Sequence, residues 1–372
     1  MLKHELQQIV MFQGMGNNER VWARLLSKFG RVTLIQQGMI QHTEIWEHGV
    51  CLFNGPETSV VSSRKWDEAT LSALTIGRSL ARFREQLGGQ KAEVIIASNY
   101  NMGLAALWLR WRGKTRRVIV LLTDFLPLRG SLVVRLHRWI TTQLTRIACR
   151  YADEVWSVSP RIPTMRVNPR NFVVPLCLED QPAPPGDRQE IGYIGYPTAD
   201  HALEFLFEIC RKHHIRLNLV GNSPYLESIK HLAPADTVFH GMISDTTKIN
   251  QIFARCFCGY AVYRNTGPQG YSYYGIPSKT FAYFATHTPV VTTLTAHFTS
   301  EIEQHGLGCV VEPQAAEIEA AILRIRANFS TYREAIARFL IGWNESALRF
   351  HETRLTAIGV RVEPAPNPGQ AA

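Results

Sequence analysis

The sequence predicts an α/β protein of two doubly wound halves, each a parallel sheet covered by helices on both faces. Three observations carry this. Short, almost continuously apolar runs alternate with longer segments of helical period, the pattern of strands buried on both sides. At 372 residues, 45% hydrophobic and 19% charged, the chain can build two cores. A segment with three prolines, residues 179–188, divides it, and the same rhythm restarts beyond.

The first half opens on a strand, Ile9–Phe12, then Gln13-Gly14-Met15-Gly16 and a helix whose Trp22, Leu25, Leu26 and Phe29 share one face. Glycines here suit a tight strand-to-helix turn. Arg31–Ile35 and Val50–Phe53 read as short strands, and Asp67–Gln86 as a helix stopped by Gly88 and Gly89. Glu93–Ala97 is a buried strand leading through Asn99, Asn101 and Gly103 into a helix that ends near Arg112. Arg117–Leu122 is the next strand, with Asp124 at its carboxyl end. A helix over 131–150 and a strand over Glu154–Ser159 close the half. Doubly wound sheets bind ligands beyond strand carboxyl ends. That rule selects Gly14, Gly16, Asn99, Asn101 and Asp124 as first-half site candidates.

The second half repeats the rhythm. Strand Ile191–Ile194 runs into Gly195 and a helix from His201 to His213. Strand Arg216–Val220 runs into Gly221 and Asn222, and strand Thr237–His240 into Gly241. A helix from Thr246 to Cys256 precedes strand Cys258–Tyr263, which enters a Gly, Asn and Tyr loop from Arg264 to Gly275. Pro277 and Ser278 start a helix, with Lys279 in its first turn and Phe281, Phe284 and Ala285 toward the core. Pro289 stops it before strand residues Val290 and Val291. Gly306–Val311 is a last strand, and helices fill Glu317–Phe350. Free amides, helix dipole and a fixed lysine together suit a phosphate group, which makes Pro277, Ser278 and Lys279 candidates. Gly195, Asn222, Arg264 and Asn265 join them because each lies where a strand ends in a loop, and Tyr274 could stack on a base or sugar or merely pack. An ordinary turn with a solvated lysine is the competing reading.

Pro277-Ser278-Lys279-Thr280-Phe281-Ala282-Tyr283-Phe284-Ala285, followed by Pro289-Val290-Val291, resembles the donor-site signature of family-four-like GT-B glycosyltransferases of bacterial polysaccharide synthesis. In that family a pattern P-x-K-x-x-E-Y-x-A-x-G-x-P-V-V holds the diphosphate and ribose of a nucleotide sugar, so the resemblance implies that Tyr283 joins Pro277 and Lys279 on the donor. Ala282 stands where the ribose-binding Glu is usual, and His287 where Gly is usual. The order of Gly195, Gly221 and Gly241 loops also resembles the GT-B C-terminal domain, although the Lys-Gly pair that often follows the first loop is absent and His201 lies near its place. Ala152-Asp153-Glu154-Val155 resembles a segment near the end of the GT-B N-terminal domain.

The resemblance implies two Rossmann-like domains facing across a cleft: 1–180 on the acceptor side, a linker at 181–188, and a donor domain at 189–340. A helix over 341–362 would cross back to the first domain, and 363–372 would be a disordered tail. It implies Asp124, preceded by Thr123 in place of a common His, as the acceptor-side base of an inverting reaction; a helix cap or a salt bridge to the neighbouring arginines is the competing reading. The implied reaction moves a sugar from a nucleoside diphosphate sugar to a glycan or polyprenyl-linked acceptor in surface-polysaccharide synthesis. The donor is a substrate, no cofactor is implied, and the lack of an Asp-x-Asp pair leaves no call for a metal. A non-enzymatic relic binding sugars or partners, and a nucleotide-sugar epimerase of similar architecture, remain open readings; Ala282 favours the former.

Charge adds a partner. The formal +9 lies wholly in the first 180 residues, which hold 24 Lys and Arg against 14 Asp and Glu. From Arg110 to Arg150 there are ten basic residues and one acid. On a helical wheel Arg135, Arg138, Arg146 and Arg150 share a face near Trp139, with Val133, Ile140, Leu144, Ile147 and Ala148 opposite, which suits an anionic membrane surface; a merely solvated face is the bland alternative. No nucleic-acid module is recognisable. Seven scattered cysteines in apolar stretches read as reduced thiols. No signal-peptide pattern or membrane-spanning run is present, so the expected location is the cytoplasm, peripheral to the inner face of the membrane.

Overall fold

A computed structural model describes residues 8–13, 18–37, 40–55, 58–59, 80–81, 83, 85, 91–123, 125, 128, 131–176, 178–181, 188–243, 245–268, 270–275, 278–294 and 298–360. Most of the expected helix Asp67–Gln86, most of the proline-rich segment and the tail from residue 363 lie outside them; of that helix, residues 80, 81, 83 and 85 are described and helical. The chain divides into two compact units, Met1–Cys177 with Ser346–Ala372, and Leu178–Glu345.

The first unit contains β1 (Gln8–Gln13), α1 (Asn18–Leu26), β2 (Arg31–Gln37), β3 (Ile40–Glu47), β4 (Val50–Asn54), β5 (Thr58–Ser59), β6 (Ala92–Ser98), α2 (Asn99–Trp111), β7 (Thr115–Leu122), α3 (Leu132–Tyr151), β8 (Glu154–Ser157) and β9 (Asn171–Val173). Its sheet runs β4-β3-β2-β1-β6-β7-β8-β9, with β5 paired to β3. The parallel core from β2 to β9 is what the apolar runs predict. The other edge corrects that expectation: β3, β4 and β5 pair antiparallel. β3 is Ile-Gln-His-Thr-Glu-Ile-Trp-Glu, which has no continuous apolar run, and His48 and Gly49, both with left-handed φ, turn it into β4. Strand side chains Val10, Ile95, Ala97 and Val118 pack with Phe83 and with Met102, Ala106 and Leu109 of α2.

The second unit contains β10 (Glu190–Ile194), α4 (Leu203–Lys212), β11 (Arg216–Val220), α5 (Pro224–Ile229), β12 (Val238–Gly241), α6 (Thr246–Phe253), β13 (Cys256–Ala261), α7 (Ser278–Phe284), β14 (Val290–Thr293), α8 (Thr299–His305), β15 (Gly308–Val311) and α9 (Ala315–Ala327). Its sheet is parallel throughout, in the order β12-β11-β10-β13-β14-β15. β13 starts earlier than the sequence suggests, so Val262 and Tyr263 are buried loop residues just past its end.

A last helix, α10 (Phe329–Ala357), contributes residues up to Glu345 to the second unit and those from Ser346 to the first. Within the first unit, buried Glu154 pairs with Arg354 of α10 and accepts from Trp156 Nε1 at 2.8 Å. The Arg354 guanidinium lies 3.7 Å from the centroid of Phe172, and His351 Nε2 donates to the Pro175 carbonyl at 2.9 Å. Burial lowers the His351 pKa to about 4, so this contact is made by a neutral ring.

Candidate functional site

Chain order decides where the second sheet binds. From β10 the chain steps outward to β11 and β12, then returns to β13 on the other side and continues to β14 and β15. The direction reverses between β10 and β13, and the crevice beyond their carboxyl ends is the switch point at which doubly wound sheets take ligands. The loops that follow these two strands build it.

Backbone packing brings them close. Gly195 and Gly221 both adopt φ +135. The Gly195 amide donates to the Val220 carbonyl at 3.0 Å, and the Gly221 amide to the Gly241 carbonyl at 2.7 Å. A Cβ on Gly221 would stand 1.8 Å from the Gly195 carbonyl oxygen, so only glycine allows this approach. Asp200 then ties the β10 loop to the β13 loop: its carbonyl accepts the Arg264 amide at 2.7 Å and its Oδ1 accepts the Asn265 amide at 2.9 Å.

Lys279 enters this crevice from α7. Its side chain is 8% exposed, and Nζ lies 4.6 and 4.8 Å from the ring centroids of Tyr193 and Tyr263, with a long 3.5 Å hydrogen bond to the Tyr193 hydroxyl. No carboxylate lies within ion-pair distance of it among the described residues. The ring faces and the more distant charge of Asp200 favour the cation, but burial outweighs them and lowers the pKa to about 7. A buried, under-compensated amine is an anion site waiting for its charge.

His201 is the residue the sequence did not single out for the site. Its ring packs between Tyr193 (centroids 5.8 Å) and Tyr263 (5.0 Å), the same two rings that flank Lys279. Thr198 and His201 form a reciprocal capping box around the turn Ala199–His201, with the Thr198 amide donating to Nδ1 at 3.0 Å. Burial, and then the Lys279 charge, lower its pKa to about 3. The ring is therefore neutral, its proton sits on Nε2, and that N–H has no protein partner among the described residues. Ala202, just after, holds φ +49, which explains why glycine is usual there. The signal was present: the missing Lys-Gly pair falls on His201 and Ala202.

The other donor-side candidates separate into three groups. Gly195 and Asn265 shape the loops just described, exposed Asn222 follows Gly221, and Ser278 is exposed at the start of α7. Tyr274 is half-buried with its ring edge-on to Tyr273 at 5.0 Å. Arg264 and Tyr283 are corrected from ligand contacts to scaffold. The Arg264 side chain is committed to Glu204 at 3.0 Å, the Ala199 carbonyl at 3.1 Å and the face of Phe205. Tyr283 is fully buried; its hydroxyl donates to the Tyr260 carbonyl at 2.9 Å and accepts from the Ile194 amide at 3.2 Å. Its ring fills the space over Gly259, where a Cβ would come within 2.3 Å. Pro277 lies outside the described residues.

In the first sheet the direction of strand order reverses between β1 and β6. Asn99 and Asn101 occupy the first turn of α2, directly after β6. Gly14, Gly16 and Asp124 lie outside the described residues. The basic helix is corrected in part. Arg135, Arg146 and Arg150 of α3 are exposed and Arg138 is half-buried, but Val133, Ile140 and Ile147, read as the side opposite the arginines, are exposed as well. Of the neighbouring basic cluster, Arg110 and Arg117 pair with Asp153 and Arg116 with Glu93, so three of its charges share two carboxylates.

Residues 188–328 match the model of the family Glycosyl transferases group 1. The fold is shared with sucrose-phosphate synthase of Thermosynechococcus elongatus at 15% identity and TM-score 0.67, covering 94% of this chain and 98% of that one. It is shared with Anabaena HepE in complex with UDP and glucose at 13% identity and TM-score 0.63, covering 93% and 100%. The lipopolysaccharide outer core galactosyltransferase WaaB follows at 14% and 0.53, covering 93% and 100%. No curated protein sequence matches the chain.

Proposed function

We propose that this chain is a GT-B glycosyltransferase, because residues 188–328 match the Glycosyl transferases group 1 model and the whole chain shares its fold with sucrose-phosphate synthase. From that premise we propose that it moves a sugar from a nucleoside diphosphate sugar to a lipid-linked glycan, at the inner surface of a cell membrane, during surface-polysaccharide synthesis. The observation that carries the donor half is Lys279, a buried amine without a carboxylate partner at the switch point of the second sheet. In transfer, the bond from the sugar's anomeric carbon to the phosphate oxygen breaks and its electron pair stays on the diphosphate. A protonated Lys279 and the Nε2–H of His201 offset the charge that develops there. The acceptor hydroxyl oxygen forms the new bond, and Asp124 is the proposed recipient of its proton.

UDP bound to HepE makes uridine donors the first to try. The test is a panel of UDP-sugars with membrane lipid extract, read as UDP release and lipid-bound sugar, beside isothermal titration of the same donors. Wild type is expected to bind at least one donor and to glycosylate the lipid fraction. Lys279→Met is expected to lose binding at least a hundredfold. Equal binding by wild type and Lys279→Met overturns the donor site; sugar release into water alone, across extracts that contain the acceptor lipid, overturns the lipid-linked acceptor.

A further inference from the structure

Helix α3 is turned inside out relative to an ordinary surface helix. Leu132, Val133, Leu136, Trp139, Ile140 and Ile147 are between 38% and 80% exposed. At 100° per residue these six share one side, a continuous stripe along a helix of 20 residues, roughly 30 Å long. The inward side carries small and hydroxylic residues instead. Thr141, Thr142 and Thr145 return their hydroxyls to helix carbonyls at 2.7–3.0 Å, and buried Ala148 meets Gly103 of α2, where an added Cβ would come within 3.0 Å. The threonines and alanine let α3 lie close on α2 without using its large side chains. Exposed apolar stripes of this length on soluble proteins mark a surface that something covers.

Charge selects the covering. Arg135 and Arg146 border the stripe along one edge and Arg150 stands at its C-terminal end; all three are exposed and have no carboxylate partner among the described residues. A long apolar strip flanked by unpaired arginines matches an anionic bilayer, with acyl chains for the strip and headgroup phosphates for the guanidiniums. A protein partner of that chemistry would need a long apolar groove edged by acids. We propose that α3 is an interfacial wedge: it lies in the plane of an anionic membrane with its leucines, isoleucines and Trp139 below the headgroups. This rests on the reading that the enzyme works at a membrane and deepens it, since charge alone gives only salt-sensitive docking.

The experiment uses the full-length chain and sonicated vesicles of phosphatidylcholine, with and without phosphatidylglycerol, sedimented at low and high salt. Wild type is expected to bind the anionic vesicles and to keep a large part of that binding at salt that screens surface charge. Leu132→Ser, Leu136→Ser and Ile140→Ser together are expected to lower binding at high salt at least tenfold while UDP-sugar affinity stays at the wild-type value. Brominated lipid is expected to quench wild-type fluorescence more than that of Trp139→Phe. A serine variant that binds as wild type, with equal quenching in both proteins, overturns the wedge and leaves electrostatic docking standing. No sedimentation of wild type with any vesicle overturns both. A wild-type mass in ultracentrifugation of twice the chain, restored to one chain by the serine variant, overturns it in favour of a second copy covering the stripe.

Discussion

His201 and Thr198 cap each other, and the Thr198 amide, donating to Nδ1 at 3.0 Å, decides which ring nitrogen of His201 can offer a proton. With its pKa lowered to about 3 by burial and by Lys279, the ring stays neutral throughout the working pH range. It can therefore give one hydrogen bond to an anion without carrying charge. His201→Ala is expected to weaken UDP-sugar binding about tenfold, the scale of one hydrogen bond to a charged group. In the free protein the His201 ring nitrogens should keep the neutral Nε2–H pattern between about pH 5.5 and 8, around the ordinary histidine value, moving only slightly as nearby Lys279 loses its charge. A titration in that window, measured by NMR, contradicts the assignment.

Tyr283 separates scaffold from ligand contact. Its hydroxyl joins the Ile194 amide to the Tyr260 carbonyl, so it links β10, β13 and α7 behind the site. Tyr283→Phe leaves two buried backbone groups without that partner and is expected to cost about 1–3 kcal/mol in denaturant unfolding. Nucleotide-sugar affinity of the folded variant should change less than threefold. A large affinity loss with unchanged stability would place the hydroxyl on the ligand instead.

The parallel core and the donor-side loops were legible because buried strands announce themselves as apolar runs, and glycines mark their ends. What the sequence hid follows one physical pattern. β3 has four polar residues in a row between Ile40 and Ile45, so no apolar run exposes it. Arg264 and Tyr283 sit at the right place in the chain, but only three dimensions show that Glu204 and the Tyr260 carbonyl already occupy them. His287 was read as a replaced glycine, and its φ of +55 explains the usual glycine, while its ring reaches Asp180 at 2.7 Å. The exposed stripe on α3 is not legible because a helical wheel gives spacing and not the direction of the core.

Asp124 carries the chemical step in the proposed reaction, where a positioned base contributes on the order of 10²- to 10⁴-fold. Asp124→Asn keeps size and polarity while removing the base. Transfer to the lipid acceptor is expected to fall at least a hundredfold, with the dissociation constant for UDP-sugar unchanged. Transfer at more than half the wild-type rate removes Asp124 from the mechanism.

Lys279 links pH to both stability and binding, with opposite consequences. Its folded pKa of about 7 lies below the free-lysine value near 10.4. Below pH 7 the amine is charged in both states and the fold bears the full cost of burying it. Between about 7 and 10.4 the unfolded chain holds more protons than the folded one, so this residue makes stability rise with pH. Lys279→Met removes the charge and is expected to raise the melting temperature at neutral pH, by an amount that corresponds to a few kcal/mol. Binding runs the other way. A diphosphate favours the ammonium and lifts its pKa in the complex, so above pH 7 the site must take up a proton when it binds. Affinity should then fall by up to tenfold per pH unit from 7 upward, until the pKa of the complex is reached. Calorimetry in two buffers of different ionisation heat reads the uptake directly: nearly one proton per donor bound at pH 8.5, and none for Lys279→Arg, whose guanidinium stays charged. Binding without proton uptake at pH 8.5 would show that the amine is already charged in the free protein.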